Sequence, residues 1–290
     1  MGVAMADVDG QGGADLFVTH LTEERHTLWR RSDSPGGPAF TDRTAASQIA
    51  RAGSRGTGFG TVLADFDLDG DVDLAIVNGR VSKKAIAKVE KQVDASKSGS
   101  MSFWWPYAER NQLFENDGAG VFEDVSGRNS APAPKLELGS EVESGNEAKA
   151  LEGFCSTAGV SRGLACGDLD NDGDLDLVVT SIGGKARIFR NMAARKGHWL
   201  LVRALDYGNR DAYGAEVMVH VGARHWWRQI NPGYSFLSSN DPRAHFGLGD
   251  VTSIDRVEVA WPDGTRQVFP GGAVDRIVEL RKGEGKAVSP

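Results

Sequence analysis

The chain is predicted to be all-β: an array of strand–loop–strand units followed by a small β-sandwich or barrel. Three observations carry this. One unit recurs three times, as GVAMADVDGQGGADLFVTH from Gly2, GTVLADFDLDGDVDLAIVNG from Gly60 and GLACGDLDNDGDLDLVVTSI from Gly163; a repeated unit means an array. From His198 onward the texture changes to short apolar runs separated by turn residues, the pattern of a compact β-domain. The 37 glycines suit many tight turns.

In order, Val3–Ala6 reads as a strand, Asp7–Asp15 as an acidic loop and Leu16–His20 as its return. Strands follow at Thr27–Arg31 and Ala39–Asp42, joined by a turn from Ser34 to Gly37. A Gly-rich approach, Gly53 to Gly60, enters the second copy, whose loop is Asp65–Asp73 and whose return strand is Leu74–Asn78. Ile86, Val89 and Val93 stand at helical spacing within Ser82–Ala95, so a short amphipathic helix is expected there. Asn111–Asn116 and Val121–Val125 are strands around an Asp117–Gly120 turn, and Ala131–Glu152 is polar enough for a long surface loop. The third copy gives a strand Leu175–Ser181, a Gly183-Gly184 turn and a strand Ala186–Arg190, and Met192–Gly197 reads as a linker. Beyond it, strand-like runs are His198–Leu205, Ala215–Val221, His225–Ile230, Ile254–Trp261, Gln267–Phe269 and Arg276–Arg281.

At 290 residues, one large or two medium domains fit. The net charge of -7 is local in origin: thirteen of the 40 acids lie in the three loops, and 33 basic residues outnumber the rest. Local acidity argues for bound cations, and no basic nucleic-acid footprint is visible. No apolar run reaches membrane-spanning length. Cys155 and Cys166 make no zinc or disulfide framework; a Cys155–Cys166 bridge and two free buried thiols are both compatible with the sequence. The first copy lacks the lead-in of the other two, so a truncated start is expected.

Oxygen ligands at positions 1, 3 and 5, a carbonyl at 7 and a further ligand near 9 describe a calcium loop. The second loop supplies Asp65, Asp67, Asp69, the carbonyl of Asp71, and Asp73. The third supplies Asp168, Asp170, Asp172, the carbonyl of Asp174, and Asp176. The first is the weaker match, with Asp7, Asp9, Gln11, Gly13 and Asp15. So many close carboxylates repel one another without a cation, and a flexible oxygen cage favours Ca²⁺ over Mg²⁺. Two calcium sites and a weaker third are therefore expected; the competing reading is that the aspartates only build turns. An EF-hand would need a glutamate at position 12, where this chain has Val18, Ile76 and Val179.

These strings resemble the FG-GAP and VCBS-type repeats of β-propellers, and the whole is most similar to the ASPIC/UnbV family. The resemblance rests on Gly167–Leu177, Asn111–Phe114 and Gly120–Val125 in the repeats. In the C-terminal part it rests on Gly208–Ala215, Ser238–Pro242, His245–Gly249 and Val257–Gly264. It implies a propeller of about seven blades followed by a small β-domain; the three loops here account for only about two to three blades over residues 1–192, with an insertion at about 80–107, ahead of an ASPIC/UnbV β-domain at 198–283. It also implies export to the cell surface, periplasm or exterior.

Phe103-Trp104-Trp105-Pro106-Tyr107 is expected to pack the inserted segment onto the blades, with a sugar-stacking platform as the competing reading. Trp226 and Trp227 should face opposite sides of a strand, one buried and one partly exposed. The histidines show no paired metal spacing, and no serine sits in a GxSxG elbow. The function expected is a calcium-binding, non-catalytic binding or scaffold protein meeting a protein or glycan partner, for which the 80–107 insertion is the variable face. The alternative is a polysaccharide-active propeller enzyme or its accessory subunit, which would need a convergent acid and base away from the loops.

Overall fold

The computed structural model describes residues 1–34, 37–49, 56–82, 101–126, 136–138, 153–156, 158–192 and 197–288. The sequence-predicted helix of 82–95 lies outside them from residue 83 on, as do most of the 192–197 linker and parts of the 34–37 turn and the 53–60 approach. Of the 131–152 stretch, expected to be a surface loop, residues 136–138 are described and form a strand, which corrects that expectation.

Three four-stranded sheets carry the acid loops. The first is a meander of β1 (Val3–Ala6), β2 (Asp15–Val18), β3 (Thr27–Ser34) and β4 (Gly37–Asp42). The second orders β5 (Gly58–Ala64), β6 (Asp73–Asn78), β8 (Gln112–Asn116) and β9 (Phe122–Asp124). The short β7 (Glu109–Arg110) pairs separately with β11 (Ala158–Gly159). The third orders β12 (Ser161–Gly167), β13 (Asp176–Ser181) and β14 (Arg187–Asn191), with its outer strand, β10 (Leu136–Leu138), coming from earlier in the chain. Each acid loop is thus the connection between the first two strands of one blade.

The alternation of a strand explains how the blades stack. In β6, Leu74 and Ile76 point to the core shared with the first blade, while Ala75 and Val77 point to the core shared with the third. Every residue of β6 is buried in consequence. The outer face of the third blade, by contrast, leaves Ile188 half exposed.

Eight further strands complete the fold. β18 (Ala244–Gly249), β15 (His198–Leu205) and β21 (Arg276–Arg281) form one sheet, in which β15 and β21 run parallel. β17 (Arg224–Gln229), β16 (Glu216–Val221), β19 (Ser253–Ala260), β20 (Arg266–Ala273) and β22 (Lys286–Val288) form the other. One apolar core, including Leu200, Val217, Phe246, Val257 and Trp261, lies between the two sheets.

The all-β class holds: among the described residues the only α-helix is the four-residue α1, Met101–Trp104. The blade count is corrected, because the described residues form five sheets of three or more strands in a propeller-like arrangement, three carrying acid loops and two enclosing the C-terminal core, instead of two to three blades. The acid loops identify only the three blades that carry them, so counting loops undercounts sheets. A second correction concerns Trp226 and Trp227, which are both buried. Trp226 enters the C-terminal core, and the opposite face of β17, with Trp227, is covered by the blades.

The covering is done by a plug. Residues 231–243 leave β17 and run along the innermost strands β1, β5 and β12. Ser235 pairs with Val3 of β1, its hydroxyl donates to the Leu164 carbonyl at 2.7 Å, and it accepts from the Thr61 N–H at 3.1 Å. Asn240 Oδ1 accepts from the Cys166 N–H at 2.9 Å. Tyr234 packs against both inter-blade cores.

Candidate metal centres

The three loops share one backbone shape. Positions 4 and 6 have positive φ throughout: Gly10 and Gly12, Leu68 (67°) and Gly70 (103°), Asn171 (60°) and Gly173 (96°). Glycine at position 6 carries no penalty there, whereas Leu68 is a side chain held in a conformation that costs about 1 kcal/mol or more. It is held by packing, since Leu68 is buried with Trp199 and Leu201 of β15.

The shape turns backbone N–H groups onto the first carboxylate. Asp7 accepts from Gln11 and Gly12, Asp65 from Leu68 and Gly70, and Asp168 from Asp172 and Gly173, at 2.8–3.1 Å. The ninth-position carboxylate is a staple. Asp15 accepts from Val8 and Arg31, Asp73 from Phe66 and Asn116, and Asp176 from Leu169 and Asn191. One oxygen holds the loop's second residue and the other holds the third strand of the same blade.

Carboxylate oxygens converge in each loop. Those of Asp7, Asp9 and Asp15 lie within 4.8 Å of one another, as do those of Asp65, Asp67 and Asp73, and those of Asp168, Asp170 and Asp172. Of the remaining sequence-predicted ligands, Asp69, Asp71, Asp174 and Asp176 are outside these groups. Asp69 accepts from the Asp71 N–H at 3.0 Å. Gln11 and Gly13 flank the first group and line its cleft with Arg30 and Arg31. Position 12 is Val18, Ile76 or Val179, and the latter two are fully buried core residues, so no EF-hand ligand stands there.

The electrostatics fit a cation. Burial, then the neighbouring Asp69, push the Asp65 carboxyl up to about 8, and burial beside Asp65 and Asp67 raises Asp73 well above the usual range. Burial raises Asp176 to about 6, and it also raises Asp15 and Asp168. Carboxyls in this condition take a proton unless another positive charge is supplied. A hard divalent ion with oxygen ligands is that charge. Basic side chains stand at the rims: Arg30 pairs with Asp9, and Arg190 with Asp170 and Asp172.

The C-terminal sheets sit directly on the loops. The Gly249 N–H donates to the Leu68 carbonyl at 3.0 Å, and Gly247 lies so close to Asp65 that a Cβ there would overlap its carboxylate. His245 Nε2 donates to the Gly173 carbonyl at 2.8 Å, and Arg243 donates to the Asp168 carbonyl at 2.8 Å and to Asn171 Oδ1 at 2.6 Å. Between loop, plug and β17 is a cavity of about 80 Å³ lined by Asp65, Arg228, Tyr234, Asp241 and His245.

Sequence reasoning placed His245 as structural, which agrees with its burial, and missed Arg228, Arg243, Asn116 and Asn191. The ending of the third strand in asparagine, in Asn116 and Asn191, was the signal available for the last two. Trp104 packs against Gly183, so that part of the aromatic cluster holds the insertion's end to the third blade, while Phe103 is exposed. Cys155 and Cys166 are free thiols; burial pushes Cys155 up to about 12 and Cys166 higher still.

Residues 206–287 match the family model described as ASPIC and UnbV. The chain is similar to cartilage acidic protein 1 of Homo sapiens, 28% identical over 301 residues, covering 96% of this chain and 43% of that protein. It is also similar to cartilage acidic protein 1 of Mus musculus, 30% identical over 283 residues, covering 91% and 42%. The Xenopus tropicalis protein of the same name is 26% identical over 292 residues, covering 93% and 43%. The chain thus spans less than half the length of the curated relatives it matches.

Proposed function

We propose that this chain, whose C-terminal part belongs to the ASPIC and UnbV family, is a calcium-binding, non-catalytic binding or scaffold protein. Residues 1–192 act as propeller blades with an insertion at 80–107, and 198–283 as a β-sandwich-like domain that plugs them. Calcium in the second and third loops, and more weakly in the first, neutralises the converging carboxylates and locks each loop to its third strand through the staple aspartate. The metal's role is structural, and loop order is linked to metal.

The observation that carries this reading is the burial of three converging carboxylates in the second loop. Asp65, Asp67 and Asp73 are each about 98% shielded from solvent or better, an arrangement that is costly without a counter-charge. The ligands would be Asp65, Asp67, Asp69, Asp73 and the Asp71 carbonyl; then Asp168, Asp170, Asp172, Asp176 and the Asp174 carbonyl; and Asp7, Asp9, Gln11, Gly13 and Asp15 in the weaker site.

The relatives' name associates them with cartilage, and export of this chain to an extracellular or cell-surface setting is part of the proposal. So is a protein or glycan partner, met on the face that carries the 80–107 insertion. No helix among the described residues is long and apolar enough to cross a membrane. Calorimetric calcium titration of the purified chain, with thermal melts in chelator, tests the reading. Two or three sites and a large fall in melting temperature on chelation are expected. No uptake by a folded chain would leave the aspartates as turn formers.

A further inference from the structure

We propose that Arg228 is a built-in counter-charge for the second acid loop, which lowers that loop's calcium affinity and sustains the fold when the ion leaves. The inference rests on the calcium reading above and adds a residue outside every loop.

Arg228 stands near the end of β17 and lines the cavity between that strand and the blades, with Met5, Leu63 and Asp65. Its Nε donates to the His245 carbonyl at 3.1 Å and its Nη1 to the Trp227 carbonyl at 2.9 Å. These two bonds aim the guanidinium, whose Nη2 is buried and makes no hydrogen bond to the protein. Asp65 shares one cavity with Arg228, and Asp7 and Asp71 share the adjoining cavity of about 270 Å³. Arg228 is the one cationic side chain, among the described residues, that lines both. Arg243, in the first cavity, is held by Asp241, and Arg224, in the second, lies over the Trp226 ring. Burial pulls the Arg228 pKa down, and the Asp65 carboxylate, then Asp7 and Asp71, act against that pull.

The charge acts in opposite directions in two states. With no ion in the loop, a buried guanidinium offsets repulsion among Asp65, Asp67 and Asp73. With a divalent cation bound, the same guanidinium repels it. A single residue of the C-terminal sheets therefore sets the difference between the two states, and by reciprocity calcium weakens the hold that Arg228 gives those sheets on the loop. Gly247 and Gly249 approach the loop through backbone alone, so their contacts carry no such opposition.

The test uses the full chain with Asp7→Asn and Asp168→Asn to isolate the second loop. Calcium affinity is measured by calorimetry at low salt for Arg228, Arg228→Lys, Arg228→Gln and Arg228→Met, with melts in chelator and in calcium. Arg228→Met and Arg228→Gln should bind at least about tenfold tighter, because a unit charge acts strongly on a divalent ion in a buried setting. Arg228→Lys should stay within about threefold of the parent, since it keeps the charge. The neutral variants should also lose more melting temperature in chelator than in calcium. Equal or weaker calcium binding by the neutral variants overturns the inference while leaving the calcium reading intact. No calcium uptake by the folded parent overturns both. If Arg228→Met does not fold, Arg228→Gln against Arg228→Lys decides by the same criterion.

Discussion

The side-chain amide of Asn116 donates at 2.9 Å to the backbone carbonyl of Val8, 108 residues away and in the neighbouring blade. The same amide donates to the Val72 carbonyl at 3.0 Å, so one asparagine caps two acid loops at their eighth and second positions. Asn191 repeats the device one blade on, donating to the Phe66 carbonyl at 2.7 Å. The stacking of blades is therefore written into the acid loops by hydrogen bonds as well as by apolar packing. Asn116→Ala should cost about 2–4 kcal/mol, because it strands two buried carbonyls. Asn191→Ala should cost about 1–3 kcal/mol by the same argument. Urea unfolding measures both, and a loss near zero for Asn116→Ala would remove the lock.

Asp67 is the converging carboxylate whose hold on the backbone is slightest: it accepts from the Asp69 N–H at 3.2 Å, where Asp65 and Asp73 each accept from two N–H groups. Asp67→Asn should raise the melting temperature in chelator, where it removes repulsion, and shrink the further rise produced by calcium. Paired melts read both signs in one experiment. A variant less stable in chelator and unchanged in its calcium response would show that Asp67 serves the turn and not the ion.

His245 sets an acid limit. Burial lowers its pKa to about 4 from 6.5. The unfolded chain takes up a proton as pH falls through about 6.5, while the folded chain does so only near 4, so this group's stability contribution is full above 6.5 and shrinks across that window. The loss is up to about 3 kcal/mol at pH 4. His245→Gln keeps a neutral donor near the Gly173 carbonyl at every pH. Its stability should fall less between pH 6.5 and 4 than that of the parent, as followed by denaturant titration in saturating calcium.

Gly247 tests how closely the C-terminal sheets must sit on the second loop. Gly247→Ala places a methyl into the Asp65 carboxylate and against the Leu68 backbone. Backbone cannot swing aside as a side chain can, so a loss of about 2 kcal/mol or more, with weakened calcium binding, is expected. Gly233→Ala, whose Cβ would meet only Asn231 Oδ1 at 3.5 Å, is the control and should change stability by less than about 1 kcal/mol. Equal behaviour of the two variants would mean that the sheets do not press on the loop.

The acid loops and their flanking strands were legible because their information is local. The unbroken apolar run Leu74–Val77 specifies a strand buried on both faces, and the DxDxDGxxD spacing specifies a turn. The C-terminal strands were legible for the same reason, except β22, a short run beyond the expected end of the domain, and β18, whose His245–Gly249 string carries three residues read only by their contacts. What the sequence hides is contact at long range. Nothing near Gly247 indicates that its missing side chain makes room for Asp65, 182 positions earlier. Nothing near Ser235 indicates that it bonds to Thr61. One of Trp226 and Trp227 was expected to be partly exposed, since a strand in a small sandwich normally has one wet face; the blades cover that face, which carries Trp227.

The plug has a consequence in time. Ser235 reaches Thr61 across 174 residues and Leu164 across 71, so the innermost strands are bonded to a segment that is made long after them. During synthesis the first two blades can form from strands in chain order, and the third from β12 to β14 with β10 made earlier, but the inner strands stay uncovered until the polypeptide has been extended well past residue 240. Contacts that distant are slow to close, and an intermediate with exposed inner strands is prone to pair with other chains. Refolding should therefore show a late phase in which Tyr234 packs against the inter-blade cores, and that step, not the formation of blades, governs how much of the chain reaches its native state.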